Sequence, residues 1–88
     1  MKLYLISQNV NTNYDTYDLC VVAAESEYEA KRIPPSSSDP RAGEDGKFKK
    51  TGVYGDWAEN VDQVMCQYLG EAKEGTTPGI ICASFNAG

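Results

Sequence analysis

The sequence predicts an α+β fold: a small, mostly antiparallel four-stranded sheet in the order β-β-α-loop-(α)-β-β, with one or two short helices on one face. Three observations predict it. Two short apolar runs near the start, Leu3 to Ile6 and Leu19 to Val22, flank a turn-rich stretch. A capping box, Ser26-Glu27-Tyr28-Glu29, follows the second run. A second pair of apolar runs, within 63–72 and 80–85, flanks the turn sequence Lys73-Glu74-Gly75-Thr76-Thr77-Pro78-Gly79.

Lys2 to Gln8 reads as the first strand. Leu3 and Leu5 alternate with Tyr4 and Ile6, so both faces are apolar, which suits a central position in the sheet. Asn9-Val10-Asn11-Thr12-Asn13 is rich in turn formers. Asp18 to Ala24 is the second strand, and the two make a hairpin whose loop, Asn11 to Tyr17, is polar and carries tyrosines. Ser26 caps a helix of about two turns, with Glu29 reaching back to the Ser26 amide. Lys31 and Arg32 suit the negative end of the helix dipole, and Pro34-Pro35 ends the helix.

Residues 34–56 hold three of the four prolines and four of the eight glycines. This is a long irregular loop, expected to be either a functional, mobile segment or a tolerated surface insertion. Asp56-Trp57-Ala58-Glu59 repeats the capping pattern and predicts a short helix through about Val61. Residues 63–72 match helical spacing at Val61, Val64, Met65, Tyr68 and Leu69, and strand spacing at Val64, Cys66 and Tyr68. Gly70 and the turn that follows favour a strand, paired as a hairpin with the run 80–85.

The 88 residues make one domain, 1–88. With 41% hydrophobic residues the chain can build a core. No apolar run approaches the ~20 residues that span a bilayer, and the first residues lack a signal-peptide pattern. Cys20, Cys66 and Cys82 are odd in number, widely spaced and set in apolar contexts. They read as free buried thiols in a reducing cytosol, not as a disulfide framework or zinc site. Thirteen acids against eight bases give a net charge of −5, most of it before residue 47. Such a balance repels phosphate backbones and favours a basic protein surface as partner.

The chain has no histidine. A Ser-His-Asp or Cys-His centre is therefore excluded, and no P-loop, G-x-G-x-x-G or H-E-x-x-H occurs. A non-enzymatic protein without cofactor or metal is expected. Tyr14-Asp15-Thr16-Tyr17-Asp18 is the most distinctive local motif. Tyrosines beside carboxylates make a protein-recognition edge, because Tyr supplies contact area at low entropic cost; alternatively the tyrosines pack at the end of the hairpin. Asp15 and Asp18 lack the third ligand a divalent cation needs. Glu27 extends the acidic surface or serves the helix cap. Lys47, Phe48, Lys49, Lys50 and Tyr54 form a basic aromatic segment that can hold a nucleotide, above all across a homo-oligomer interface. Trp57 is a core anchor or an interface hot spot.

Two stretches carry a resemblance. Tyr14-Asp15, Leu19 to Ala24 and Ser26-Glu27-Tyr28-Glu29-Ala30 at one end, with Tyr68 to Ala72 and Ala83 to Gly88 at the other, resemble a family of small phage and prophage proteins of unassigned function. Residues 14–30 also resemble a small type II-C anti-CRISPR protein family; that likeness does not extend to the C-terminal half, and no binding residue is carried over from it. The resemblance implies a phage-encoded inhibitor of a host defence system, at work in the bacterial cytoplasm. On this expectation Tyr14, Asp15, Tyr17, Asp18 and Glu27 bind a host protein. The alternatives are a nucleotide-signal binder using Lys47, Phe48, Lys49 and Tyr54, and a phage accessory protein such as a small regulator.

Overall fold

The computed structural model describes residues 1–12, 15–36, 40–49 and 55–86. Among them a four-stranded antiparallel sheet runs in the order β3-β1-β2-β4, built from β1 (Lys2–Ser7), β2 (Thr16–Ala24), β3 (Met65–Glu71) and β4 (Gly79–Asn86). One α-helical turn, α1 (Glu27–Ala30), follows β2, and a 3-10 turn, Val61–Gln63, precedes β3. This is the small α+β fold that the sequence predicts, and within 63–72 the strand reading holds over Met65–Glu71. No described helix is long and apolar enough to cross a membrane.

The two inner strands form the expected hairpin, with Tyr4 opposite Val22 and Ile6 opposite Cys20. These four side chains point to one face and are buried. Leu3 and Leu5, on the other face of β1, are half-buried. The expected β3–β4 hairpin does not form: β3 pairs with β1, and β4 pairs with β2. A hairpin turn holds two to five residues, whereas the connection 72–78 is longer and must cross three strand spacings, ~14 Å. The physical reason lies in the inner hairpin. Both of its strands are apolar enough to need a neighbour on each side, so the two less buried strands become the edges.

The covering layer is mostly irregular chain. Ala30, Ile33, Trp57, Ala58 and Val64 join Tyr4, Ile6, Cys20, Val22 and Ala24 in the core, with Phe48 packed against it. The 34–56 segment, expected as a functional, mobile loop or a surface insertion, adds Phe48 to this packing, and Pro34 and Pro35 are buried too. Cross-links hold it: the Ala42 amide donates to the Arg32 carbonyl (3.0 Å), Phe48 to Glu59 (2.9 Å) and Val61 to Gly46 (2.8 Å). Gly46 sits at φ +75, a conformation that favours glycine, and a Cβ there would stand a tight 3.1 Å from Val61 Cγ2.

The helices differ from expectation in extent. α1 is four residues long, and Ser26 Oγ accepts from the Glu29 amide (3.3 Å) as a cap should. The Glu29 carboxylate, however, accepts from the Glu25 amide (3.0 Å), one residue earlier than a capping box places it. Past the helix, the Arg32 guanidinium lies 3.8 Å from the centre of the Tyr28 ring. The helix expected from Asp56 is absent. The Asp56 carbonyl, which would accept the first helical bond, is taken by the Tyr17 amide (2.8 Å), and Trp57 and Ala58 are drawn into the core. Capping moves to Asn60, whose side chain accepts from the Asp62 amide (3.0 Å), while Gln63 Oε1 accepts from the Asn60 amide (3.3 Å).

The loop between β1 and β2 is organised by Gln8, which is 4% exposed. Its Nε2 donates to the carbonyls of Asn11 (2.7 Å) and Tyr17 (2.8 Å), and its Oε1 accepts from the amides of Val10 (3.0 Å) and Asn11 (2.8 Å). Every hydrogen-bonding position of the carboxamide is filled. Gln8→Leu keeps the bulk and orphans four backbone groups, each worth about 1–3 kcal/mol when buried and less where water can enter. The expected loss of unfolding free energy is about 2–4 kcal/mol in urea denaturation, with an unchanged slope. A loss below about 1 kcal/mol would mean that the loop holds itself.

Candidate protein-binding site

At the end of the sheet where β2 starts, the chain makes a tight entry. Asp15 has φ +62, a left-handed conformation that aspartate tolerates better than most residues. Thr16 is buried, Tyr17 is half-buried against the core, and Asp18 is exposed. Here Tyr17 pairs with Phe85 and Leu19 with Ser84, so Asp18 is the extra residue of a β-bulge. The bulge changes the alternation, turning Tyr17 toward the core side while Asp18 stays in water. Asp18 Oδ1 accepts from the Leu19 amide (3.0 Å), which fixes the carboxylate beside the bulge.

Across the β2–β4 pair the Tyr17 and Phe85 rings stack at a tilt of 30° with centroids 4.7 Å apart. Phe85 is 48% exposed, so this aromatic pair is buried on one side and open on the other. Beside it lies an open groove of about 420 Å³ lined by Thr12, Thr16, Asp18, Ser84 and Phe85. The expected residues Asp15, Tyr17 and Asp18 are thus adjacent, as their spacing requires, and the fold adds Phe85, Ser84 and Thr12. Tyr14 lies outside the described residues.

Glu27 does not join this group. It begins α1, beyond the far end of β2, a strand about 26 Å long. There it belongs to a second cluster, which the sequence did not single out. Tyr4 and Tyr68 meet edge to face (5.8 Å between centroids), and Tyr68 Oη donates to Glu71 Oε1 (3.4 Å). Burial first, then the fields of Cys66, Glu27 and Glu71, raise the Tyr4 phenol above its ordinary range.

Of the basic aromatic segment, Lys47, Phe48 and Lys49 are among the described residues. Phe48 and Lys49, with Pro34, Gly55, Asp56, Trp57 and Ala58, line a cleft of about 10 Å³, which is the room of one water molecule. Lys47 is exposed and bridges to Asn60 through the backbone; Lys50 and Tyr54 lie outside the described residues. Trp57 is 4% exposed and packs in the core cluster as an anchor.

The thiols differ from one another more than their sequence contexts suggest. Cys20 is fully buried, Cys66 half-buried and Cys82 exposed on β4. Burial, reinforced by Cys82, pushes Cys20 up to about 12. Burial and then Glu27, opposed by Lys31, push Cys66 up to about 11. A thiol held neutral is a poor nucleophile. Among the described residues no three Cys, Asp or Glu side chains gather as metal ligands.

What this corner offers chemically is recognition: exposed carboxylates, a half-open aromatic pair and hydroxyls around a shallow groove. No protein-family model, no curated protein and no solved structure matches this chain. The geometry of the corner therefore carries the functional argument.

Two thiol measurements check this description. In the folded protein a disulfide reagent should modify Cys82 rapidly, Cys66 slowly, and Cys20 only on unfolding; fast modification of Cys20 would contradict its burial. The raised thiols also link to pH. Their neutral form is favoured in the folded state, so the stability they add is complete below an unfolded thiol value of 9.0 and is lost as pH rises toward about 12. Urea midpoints should fall over this window, and fall less in Cys20→Ala; equal falls would separate Cys20 from the alkaline transition.

Proposed function

We propose that this protein is a non-enzymatic binding module that docks on a basic protein surface through the corner formed by Asp15, Tyr17, Asp18 and Phe85. The observation that carries the reading is the Tyr17–Phe85 pair, half-open and set between exposed carboxylates beside a groove. Aromatic side chains fixed by a sheet lose little entropy on binding, and they are the residues on which interface energy concentrates. Carboxylates at the rim speed encounter with a basic surface and discriminate against acidic ones. The net charge of −5 supports the same class of partner. The likeness of both chain ends to small phage and prophage proteins supports a host defence protein as that partner, a CRISPR effector among the choices, met in the bacterial cytoplasm.

The test is capture of the partner from a bacterial host lysate at low and moderate salt, followed by affinity measurements with variants. Asparagine tolerates the left-handed backbone at position 15 and can still accept from the Leu19 amide at position 18. Asp15→Asn with Asp18→Asn therefore removes charge and keeps shape. The pair should weaken binding about tenfold and flatten its salt dependence. Glu27→Gln, at the other end of the sheet, should leave affinity unchanged. Binding indifferent to the aspartate pair would sink the acidic corner as the site.

A further inference from the structure

We infer that the free edge of β4 pairs with β4 of a second copy of this chain, forming a two-fold dimer with one continuous eight-stranded sheet. Among the described residues β4 hydrogen-bonds only to β2, so its other row of amides and carbonyls is open. Ile81 is 51% and Phe85 48% exposed, and Cys82, Ala83 and Ser84 between them are exposed as well. Soluble proteins protect such an edge with lysine, proline, shortness or strong twist. β4 is eight residues long with no charge and no proline, and from Gly75 to Gly88 the only proline, Pro78, precedes the strand. A bulge at Ile81 and Gly79 at φ +141 are its irregularities.

The sheet's other edge is defended. β3 ends in Glu71, carries a bulge at Leu69 and places Gly70 at φ +147. Both edges have a bulge and a glycine at positive φ, so the charge of Glu71 on β3, and the absence of charge on β4, select β4 and select the occupant. Two copies of charge −5 repel each other, and the neutral strand is the edge along which they approach without setting like charges opposite. β4 itself carries no charge to attract a basic partner along its edge. Antiparallel pairing of β4 with itself is self-complementary and closes on a two-fold axis, whereas β4-to-β3 pairing would continue as an open filament that Glu71 opposes. β4 is eight of 88 residues and exposed along most of its length.

The experiment is sedimentation of the purified full chain across the micromolar range, with no partner added, so its outcome is independent of the acidic corner. The expected result is twice the monomer mass, which Ile81→Lys and Ala83→Lys each return to a single mass while keeping the far-ultraviolet dichroism of the wild type. Tyr68→Lys, on β3, should leave the doubled mass intact. Amide exchange adds a reading that needs no variant: the 79–86 amides that point away from β2 should be protected in the doubled species. A single mass for the wild type, mass that climbs without limit, dissociation by Tyr68→Lys, or unprotected outward amides would each overturn the inference.

Discussion

A single buried carboxamide holds this fold's layers in register. Gln8 lies at the end of β1, where the chain must leave the sheet, turn and re-enter as β2. Its four hydrogen bonds shape the turn and fasten it to the Tyr17 carbonyl. The turn in turn places Asn11, whose Nδ2 donates to the carbonyls of Gly55 (2.9 Å) and Trp57 (3.3 Å). The Asp56 carbonyl between them takes the Tyr17 amide (2.8 Å). The ring closes: sheet, turn, covering layer and sheet again, tied by backbone groups that would otherwise be costly to bury.

This closure explains how a domain with one helical turn keeps a core. The covering layer has few internal ladders of its own, so it is held where the sheet and the β1–β2 turn offer partners. Trp57 and Ala58 enter the core because the residues beside them are pinned. The same pinning fixes the start of β2, and with it the bulge that exposes Asp18 and turns Tyr17 against Phe85. Structure and candidate site share one set of hydrogen bonds. The two edges of the sheet differ in charge: β3 ends in Glu71, and β4 carries no charged residue.

Local features of this chain were legible in its sequence, and pairings between distant segments were not. The alternation of Leu3 to Ile6, apolar on both faces, predicted a central strand, and β1 is central. Ser26 predicted the start of α1. The turn at 73–79 suggested a hairpin because proximity in sequence is the only pairing signal a single chain shows; the burial of both inner strands decided otherwise. Asp56 looked like a cap, and its carbonyl is taken by the amide of Tyr17, some 40 residues away. Asp15, Tyr17 and Asp18 could be singled out because they are neighbours. Phe85 could not, since only the β2–β4 register brings it to Tyr17. Gln8 gave no sign at all: a glutamine after a strand is ordinarily exposed, and its burial depends on the path of the turn.

The most direct test of this account is amide hydrogen exchange at Tyr17, in the wild type and in Asn11→Ala. The Tyr17 amide donates to the Asp56 carbonyl of the covering layer. If the ring of bonds holds the layers together, this amide exchanges in the wild type nearly as slowly as those of β1 and β2, and the loss of the Asn11 side chain speeds it at least tenfold while the central strands remain protected. Exchange at Tyr17 as fast as in an open loop, or unaffected by Asn11→Ala, would contradict the account.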